Sequence, residues 1–247
     1  MRITFIGTGP GIPEGGRRCS SALLESGSRK YIIDMGTDAL SEMMKRGITP
    51  DDLTAVFITH QHDDHIDGMF GFLNALNWGF PAADPEIFLP RPEAADFFRS
   101  WSRFNGMALR ESIRFSPVKK GCFYEDDTIR VTALENGHCP FSYGFLIEAE
   151  GKALLFSGDL KVGDGATADF GRFLSEYSPA GGIDLAVSEC AHFDAMTYIR
   201  PLRENPPKRF FLNHYTAEYI ESCYRLKAAL LGELPVILLN DNYEISL

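Results

Sequence analysis

The chain has 247 residues, 45% hydrophobic and 23% charged, proportions that exclude bulk disorder and allow a sizeable core. Its formal net charge of −10 disfavours a role built on non-specific contact with phosphate backbones or anionic lipid, because such proteins are usually basic. Five scattered cysteines (Cys19, Cys122, Cys139, Cys190, Cys223), with no Cys-x-x-Cys pair, argue against a disulfide framework and for a reducing, cytoplasmic setting.

In chain order, β-branched and aromatic runs predict strands over 3–6, 21–24 and 31–34. The first, cut short by Gly7, reads as a strand and not as a secretory segment. A helix is expected over 38–46, with Thr37 or Asp38 as its cap and Gly47 as its stop. An apolar run at 55–58 predicts a buried strand that delivers the chain to Thr59-His60, and a further helix is expected from about 67 to 77. Residues 92–104 set Phe97, Phe98, Trp101 and Phe104 on one helical face, expected to pack in the core. Strands resume over 113–118, 128–134, 144–148 and 154–157. The last part alternates: strand 184–188, helix 195–203, strand 209–212, helix 217–231, then strands 236–239 and 243–246. No apolar run approaches the length of a membrane span. Two strand-rich halves, each finishing with helices, predict one α/β domain over residues 1–247, a four-layer αββα sandwich.

The strongest chemical signal is Thr59-His60-Gln61-His62-Asp63-Asp64-His65, directly after a buried strand. Alternate residues of an extended segment point the same way, so His60 and His62 can share one ion. A turn then lets Asp64 and His65 face a second. Imidazole and carboxylate are donors that borderline divalent ions such as zinc accept. With six histidines in the chain, three set positions being histidine by chance has a probability of about one in 10⁵. His138, Asp159 and His214 each follow a predicted strand, so their side chains converge on one sheet edge.

This order of residues resembles the metallo-β-lactamase superfamily: His-x-His-x-Asp-His, a distant His, an Asp in a Gly-Asp context, and a final His. The resemblance implies the αββα sandwich and a dinuclear site. His60, His62 and His138 would hold one ion, Asp64, His65 and His214 the other, and Asp159 would bridge them. Zinc is the expected metal, with manganese and iron as alternatives. Asp34 matches the superfamily's strand-end Asp, which orients ligands. The early loop Gly7-Thr8-Gly9-Pro10-Gly11-Ile12-Pro13 and the run His138-Cys139-Pro140-Phe141-Ser142-Tyr143-Gly144 are most similar to the RNase Z and phosphodiesterase branch. Ser188-Glu189-Cys190-Ala191-His192 is similar to that branch's His-Glu-Ala-Thr segment, which implies proton transfer by Glu189 and His192; Ser188 and Ala191 depart from it.

The resemblance implies a metal-dependent hydrolase, expected to cleave a small phosphodiester with a hydroxide held between the ions and oriented by Asp64 and Asp159. Lactone or thioester hydrolysis and iron-dependent redox chemistry on the same fold are the alternatives. Arg17, Arg18, Ser142 and Tyr143 are candidate donors to a substrate phosphate. Only 21 residues separate His138 from Asp159, the interval in which RNase Z commonly carries its tRNA-gripping arm. That interval and the negative charge lead to the expectation of a small-molecule substrate, with RNA and membrane disfavoured. The oligomeric state stays open, a homodimer included.

Overall fold

Period-two alternation along the central strands sends side chains to two buried faces, which calls for layers on both sides of each sheet. The computed structural model describes residues 1–247 apart from Pro13, Gly15 and Asp164, so Pro13 of the early loop lies outside the described residues. One sheet comprises β1 (Arg2–Gly7), β2 (Ser21–Ser26), β3 (Arg29–Ile33), β4 (Leu53–Phe57), β5 (Glu86–Leu89), β6 (Phe115–Pro117) and the late strand β14 (Tyr243–Ser246). Its order is β14-β1-β2-β3-β4-β5-β6. The other comprises β7 (Gly121–Glu125), β8 (Ile129–Glu135), β9 (Tyr143–Ala149), β10 (Lys152–Phe156), β11 (Leu185–Cys190), β12 (Phe210–Tyr215) and β13 (Val236–Leu238), in the order β13-β12-β11-β10-β9-β8-β7.

The inward faces carry Phe5, Tyr31 and Phe57 from the first sheet against Phe145, Phe156 and Phe211 from the second. The outward face of the first sheet, with Ile6, Ile32 and Val56, packs on Met43, Phe72 and Phe98. Those residues belong to α1 (Ala39–Lys45), α3 (Gly68–Asn74) and α4 (Glu93–Phe104). The second sheet's outward face, with Leu155, Ala186 and Leu212, packs on α5 (Ala168–Glu176), α6 (Ile199–Glu204) and α7 (Ile220–Ala229). The expected αββα sandwich is the observed fold. No helix among the described residues is long and apolar enough to cross a membrane.

Strands β3 to β6 run parallel, as do β10 to β13, whereas β7 to β10 alternate in direction. The C-terminal ends of β3, β4, β8, β10, β11 and β12 therefore meet at one edge, where open α/β sheets bind ligands.

Three local features differ from expectation. The helix placed at about 67–77 begins earlier, as α2 (Asp63–Ile66), runs on through α3 and ends in a wide turn over 75–79. Asp38 is the cap of α1, but in a left-handed conformation with no side-chain cap bond. On α4 only Phe98 of the four aromatics is buried; Phe97, Trp101 and Phe104 are 56%, 45% and 82% exposed, because α4 lies in the outer layer and shows the sheet one narrow stripe. The sequence reading also left out β5, β7 and α5.

Candidate metal centre

The segment after β4 is extended through His62 and turns helical at Asp63, so His60 and His62 face one way and Asp64 and His65 present from the first turn of α2. His138 follows β8, Asp159 follows β10, and His214 sits in the last residues of β12. Donor atoms of His60, His62, His138 and Asp159 all lie within 4.8 Å of one another, as do those of Asp64, His65 and His214. Asp159 stands between the two sets. Its Oδ2 is 3.7 Å from His60 Nε2 and 3.3 Å from His214 Nε2, while its Oδ1 is 3.3 Å from His65 Nε2.

The far side of four of the five rings is fixed. His65 Nδ1 lies 2.7 Å from Asp34 Oδ2, His60 Nδ1 3.1 Å from Thr59 Oγ1, His138 Nδ1 2.9 Å from the Leu160 carbonyl, and His214 Nδ1 2.9 Å from Ser20 Oγ. In each case Nε2 is left to face the cluster, the arrangement that metal-binding histidines use. Asp34 earns its strand-end position: it holds a left-handed φ of 58° and accepts from the Thr59 N–H at 2.7 Å and the Thr59 hydroxyl, so one carboxylate orders both His60's support and His65.

These residues fit divalent ions on two observations. His65 Nε2 is buried and makes no hydrogen bond. His62 Nδ1 lies 3.2 Å from His60 Nε2 and 3.0 Å from His138 Nε2, and three ring nitrogens pointing at one spot are more readily satisfied by one cation than by protons. The same groups also shift one another's charge. Burial opposes ionisation of Asp159, yet His214 and His65 hold its carboxyl well below the usual range. Burial likewise opposes charge on His65, but Asp159 and Asp34 raise it. His60, by contrast, is pushed well down, by burial first and then by His65.

Beside the two sets lies His192, whose ring centroid is 5.0 Å from that of His138 and 6.2 Å from that of His214. Its Nδ1 is 2.7 Å from Glu189 Oε1. Glu189 is buried and also accepts from the N–H groups of Leu160 at 2.8 Å and Ala191 at 2.6 Å, so the carboxylate is rigid. Burial works against a charged His192, and the Glu189 carboxylate outweighs it and raises the ring's pKa.

Of the four candidate phosphate donors, the two arginines are otherwise engaged. Arg17 reaches Glu14 at 2.6 Å and the Tyr215 carbonyl at 2.5 Å and lies over the Tyr215 ring. Arg18 donates to the Ile6 carbonyl and pairs with Asp241 and Glu42. Tyr143 packs in the core between the sheets, and Ser142 is buried with an unpaired hydroxyl. Sequence reading missed the orienting groups Thr59, Ser20 and the Leu160 carbonyl. Thr59 had a signal in its place next to His60; Ser20, 194 residues from His214, had none.

Fold and donor set together define a metallo-β-lactamase-fold protein with two sets of residues able to hold metal ions. YhfI of Bacillus subtilis, a metallo-β-lactamase fold protein, superposes with a TM-score of 0.79 at 18% identity, covering 99% of this chain and 98% of that one. The short form of human tRNase Z gives a TM-score of 0.72 at 20% identity, over 100% and 99% of the two chains. Residues 1–174 match the family described as Anti-Pycsar protein Apyc1, and the chain belongs to that family. In sequence it is 31% identical over 149 residues to Ribonuclease Z of Crocosphaera subtropica, a match covering 60% of this chain and 47% of that protein. The chain thus spans about half the length of such curated relatives.

The expectation of a small-molecule substrate with RNA disfavoured is overturned by these relatives, which are ribonucleases by name. It rested on a whole-chain charge, which says nothing of the local field at an edge built to hold cations, and on a single short interval.

Proposed function

We propose that this chain hydrolyses a phosphodiester at a centre of two divalent ions, with His192 giving the leaving oxygen its proton. The observation that carries this reading is the His192–Glu189 pair: an imidazole held by a rigid buried carboxylate beside both donor sets. When bound, such ions lower the pKa of water and offset negative charge growing on phosphorus. A donor set of five imidazoles and two carboxylates, with no thiolate, favours zinc. Asp64 and Asp159 present their carboxylate oxygens to the space between the donor sets and orient what binds there. Asp34 keeps the His65 ring in one tautomer. His192, tied at Nδ1, presents Nε2 to the substrate; Glu189 steadies the ring's charge before the proton leaves and turns it back afterwards. RNA is among the substrates this reading admits. The five cysteines stand free, which supports a reducing, cytoplasmic setting.

The test separates leaving groups. His192→Ala should lower kcat/KM about 100-fold or more for a diester with an alkyl leaving group, which needs a proton. A p-nitrophenyl diester, whose leaving group departs as the anion, should lose far less. Equal losses on both would remove His192 from proton transfer. A zinc- or manganese-loaded protein that cleaves neither those esters nor precursor tRNA would remove the phosphodiesterase reading.

A further inference from the structure

Tyr198 carries a hydroxyl into the apolar layer between the second sheet and its helices. Its side chain is fully buried, and its ring centroid lies 5.1 Å from those of Phe170 and Phe210. A phenylalanine would fill that place as well, and a buried hydroxyl costs stability unless it finds partners. Tyr198 finds two. Its hydroxyl donates to the Glu189 carbonyl at 2.8 Å and lies 2.6 Å from Ser188 Oγ. Ser188 Oγ donates to Ser157 Oγ at 2.7 Å, and Ser157 Oγ donates to the Gly158 carbonyl. Each hydroxyl has one proton, so once Ser157 and Ser188 have donated theirs, the Tyr198 proton is the one that serves the Glu189 carbonyl and heads the chain.

Both ends of this chain reach the metal centre. Strand β11 pairs with β12 out of step at Glu189, with Ser188 opposite Leu212 and Cys190 opposite Tyr215. Such a slip re-aims a side chain, and here the Glu189 carboxylate meets the N–H of Leu160 and the Nδ1 of His192. The segment Gly158-Asp159-Leu160 is therefore held by Glu189 twice. Its Leu160 N–H goes to the carboxylate, and its Gly158 carbonyl is reached through the two serines and Tyr198 from the Glu189 carbonyl. Gly158 has a left-handed φ of 61°, and a Cβ there would lie 2.5 Å from the Tyr143 carbonyl oxygen, so the segment lies hard against β9. The hydrogen bonds close a circuit from Glu189 through Tyr198, Ser188, Ser157 and the Asp159 segment back to Glu189.

We propose that Tyr198 is a positioning residue: through this circuit it fixes the Glu189–His192 pair relative to Asp159, and so keeps the His192 imidazole where it can give its proton. This rests on the proton-transfer reading above and deepens it. Tyr198 lies outside both donor sets and acts through Glu189. Burial pushes its phenol well up, so it stays protonated and remains a donor.

Tyr198→Phe removes the hydroxyl and keeps the aromatic ring. On zinc-loaded protein it should lower kcat/KM about 10-fold for a diester with an alkyl leaving group, the worth of one hydrogen bond, and should cost a p-nitrophenyl diester far less. Ser188→Ala, which opens the circuit at its next link, should give the same split. Phe170→Leu loosens the same layer without touching the circuit and should alter both esters alike. Equal losses on both esters in Tyr198→Phe, or zinc uptake weakened in calorimetry, would make the hydroxyl a general prop and overturn the proposal.

Proton magnetic resonance of the zinc-loaded protein asks the same question without turnover. The His192 Nδ1 proton, bonded to Glu189 at 2.7 Å, should give a low-field signal identified by its loss in His192→Ala. Tyr198→Phe should broaden or shift that signal, and Phe170→Leu should leave it in place. A signal absent from the wild type, or unmoved by Tyr198→Phe, overturns the proposal. Cleavage of no diester, with the signal moved by Tyr198→Phe, would fail the phosphodiesterase reading alone. A split between the esters in His192→Ala, with neither split nor shift in Tyr198→Phe, would fail this one alone.

Discussion

Gly11 shows how closely a single residue limits the site. A Cβ there would lie 3.2 Å from Asp64 Cγ and 3.3 Å from each carboxylate oxygen, tighter than ordinary van der Waals contact. Gly11→Ala should therefore push the Asp64 carboxylate off its position and weaken metal binding about 10-fold or more while leaving the fold intact. Metal titration alongside thermal melting checks this; undiminished affinity would show that the early loop gives way. At this scale the sequence was legible where donors lie close along the chain, as from His60 to His65, or directly follow a strand. It was illegible where the partner comes from far off, as Ser20 does for His214. Nor could it show that Arg17 and Arg18 already have partners in Glu14, Glu42 and Asp241, because residue type says that a side chain can donate but not what the fold sets beside it.

Among the elements, the β7–β8 hairpin depends on one carboxylate. Asp126 accepts from the Tyr31 and Tyr124 hydroxyls, each at 2.7 Å, and from the N–H groups of Thr128 and Ile129 at 2.8 and 2.9 Å. Burial opposes its ionisation, but these donors outweigh it and hold the carboxyl below the usual range. A depressed folded pKa contributes stability that is present above the unfolded value of about 4 and is lost as pH falls toward the folded one. The melting temperature of the wild type should accordingly drop below pH 4, and that of Asp126→Asn should be lower at pH 7 but flatter across the same range. Asp126→Ala should cost about 2 kcal/mol at neutral pH, because it strands the Tyr124 phenol and leaves the Tyr31 phenol only the Thr128 hydroxyl. An unchanged acid profile in Asp126→Asn would assign the pH dependence elsewhere. Sequence patterning found most of the strands, the short β6, β13 and β14 among them, and missed β5, β7 and α5. β5 has four residues behind a proline, β7 buries none of its five residues fully, and α5 has a glycine near its middle, which weakens the helical pattern without breaking the helix. The aromatic stripe of α4 was misplaced for another reason. Periodicity identifies one face of a helix, but not whether anything packs against it.

Across the whole molecule, the first sheet supplies the donors from His60 to His65 and the second supplies His138, Asp159 and His214. An ion bound by either set therefore clasps the two sheets, and binding to the folded state alone must stabilise it by about 2.7 kcal/mol at a 100-fold excess over Kd. Chelation should lower the melting temperature by about 5–10 °C. Unchanged melting after verified metal removal would show that the fold gains nothing from the ions. A different kind of consequence follows from Asp241. Its Oδ1 accepts from the Thr8 N–H at 2.9 Å and from the Thr8 hydroxyl, and its Oδ2 accepts from the Arg18 N–H at 2.8 Å. The early loop that lies against Asp64 is thus moored to a residue 233 positions later than Thr8. As the chain leaves the ribosome, all seven donors emerge before that mooring does. The nascent protein has all seven of these side chains while the loop beside them is still adrift, and the order of synthesis lets this edge close only after the last of them, His214, has already emerged.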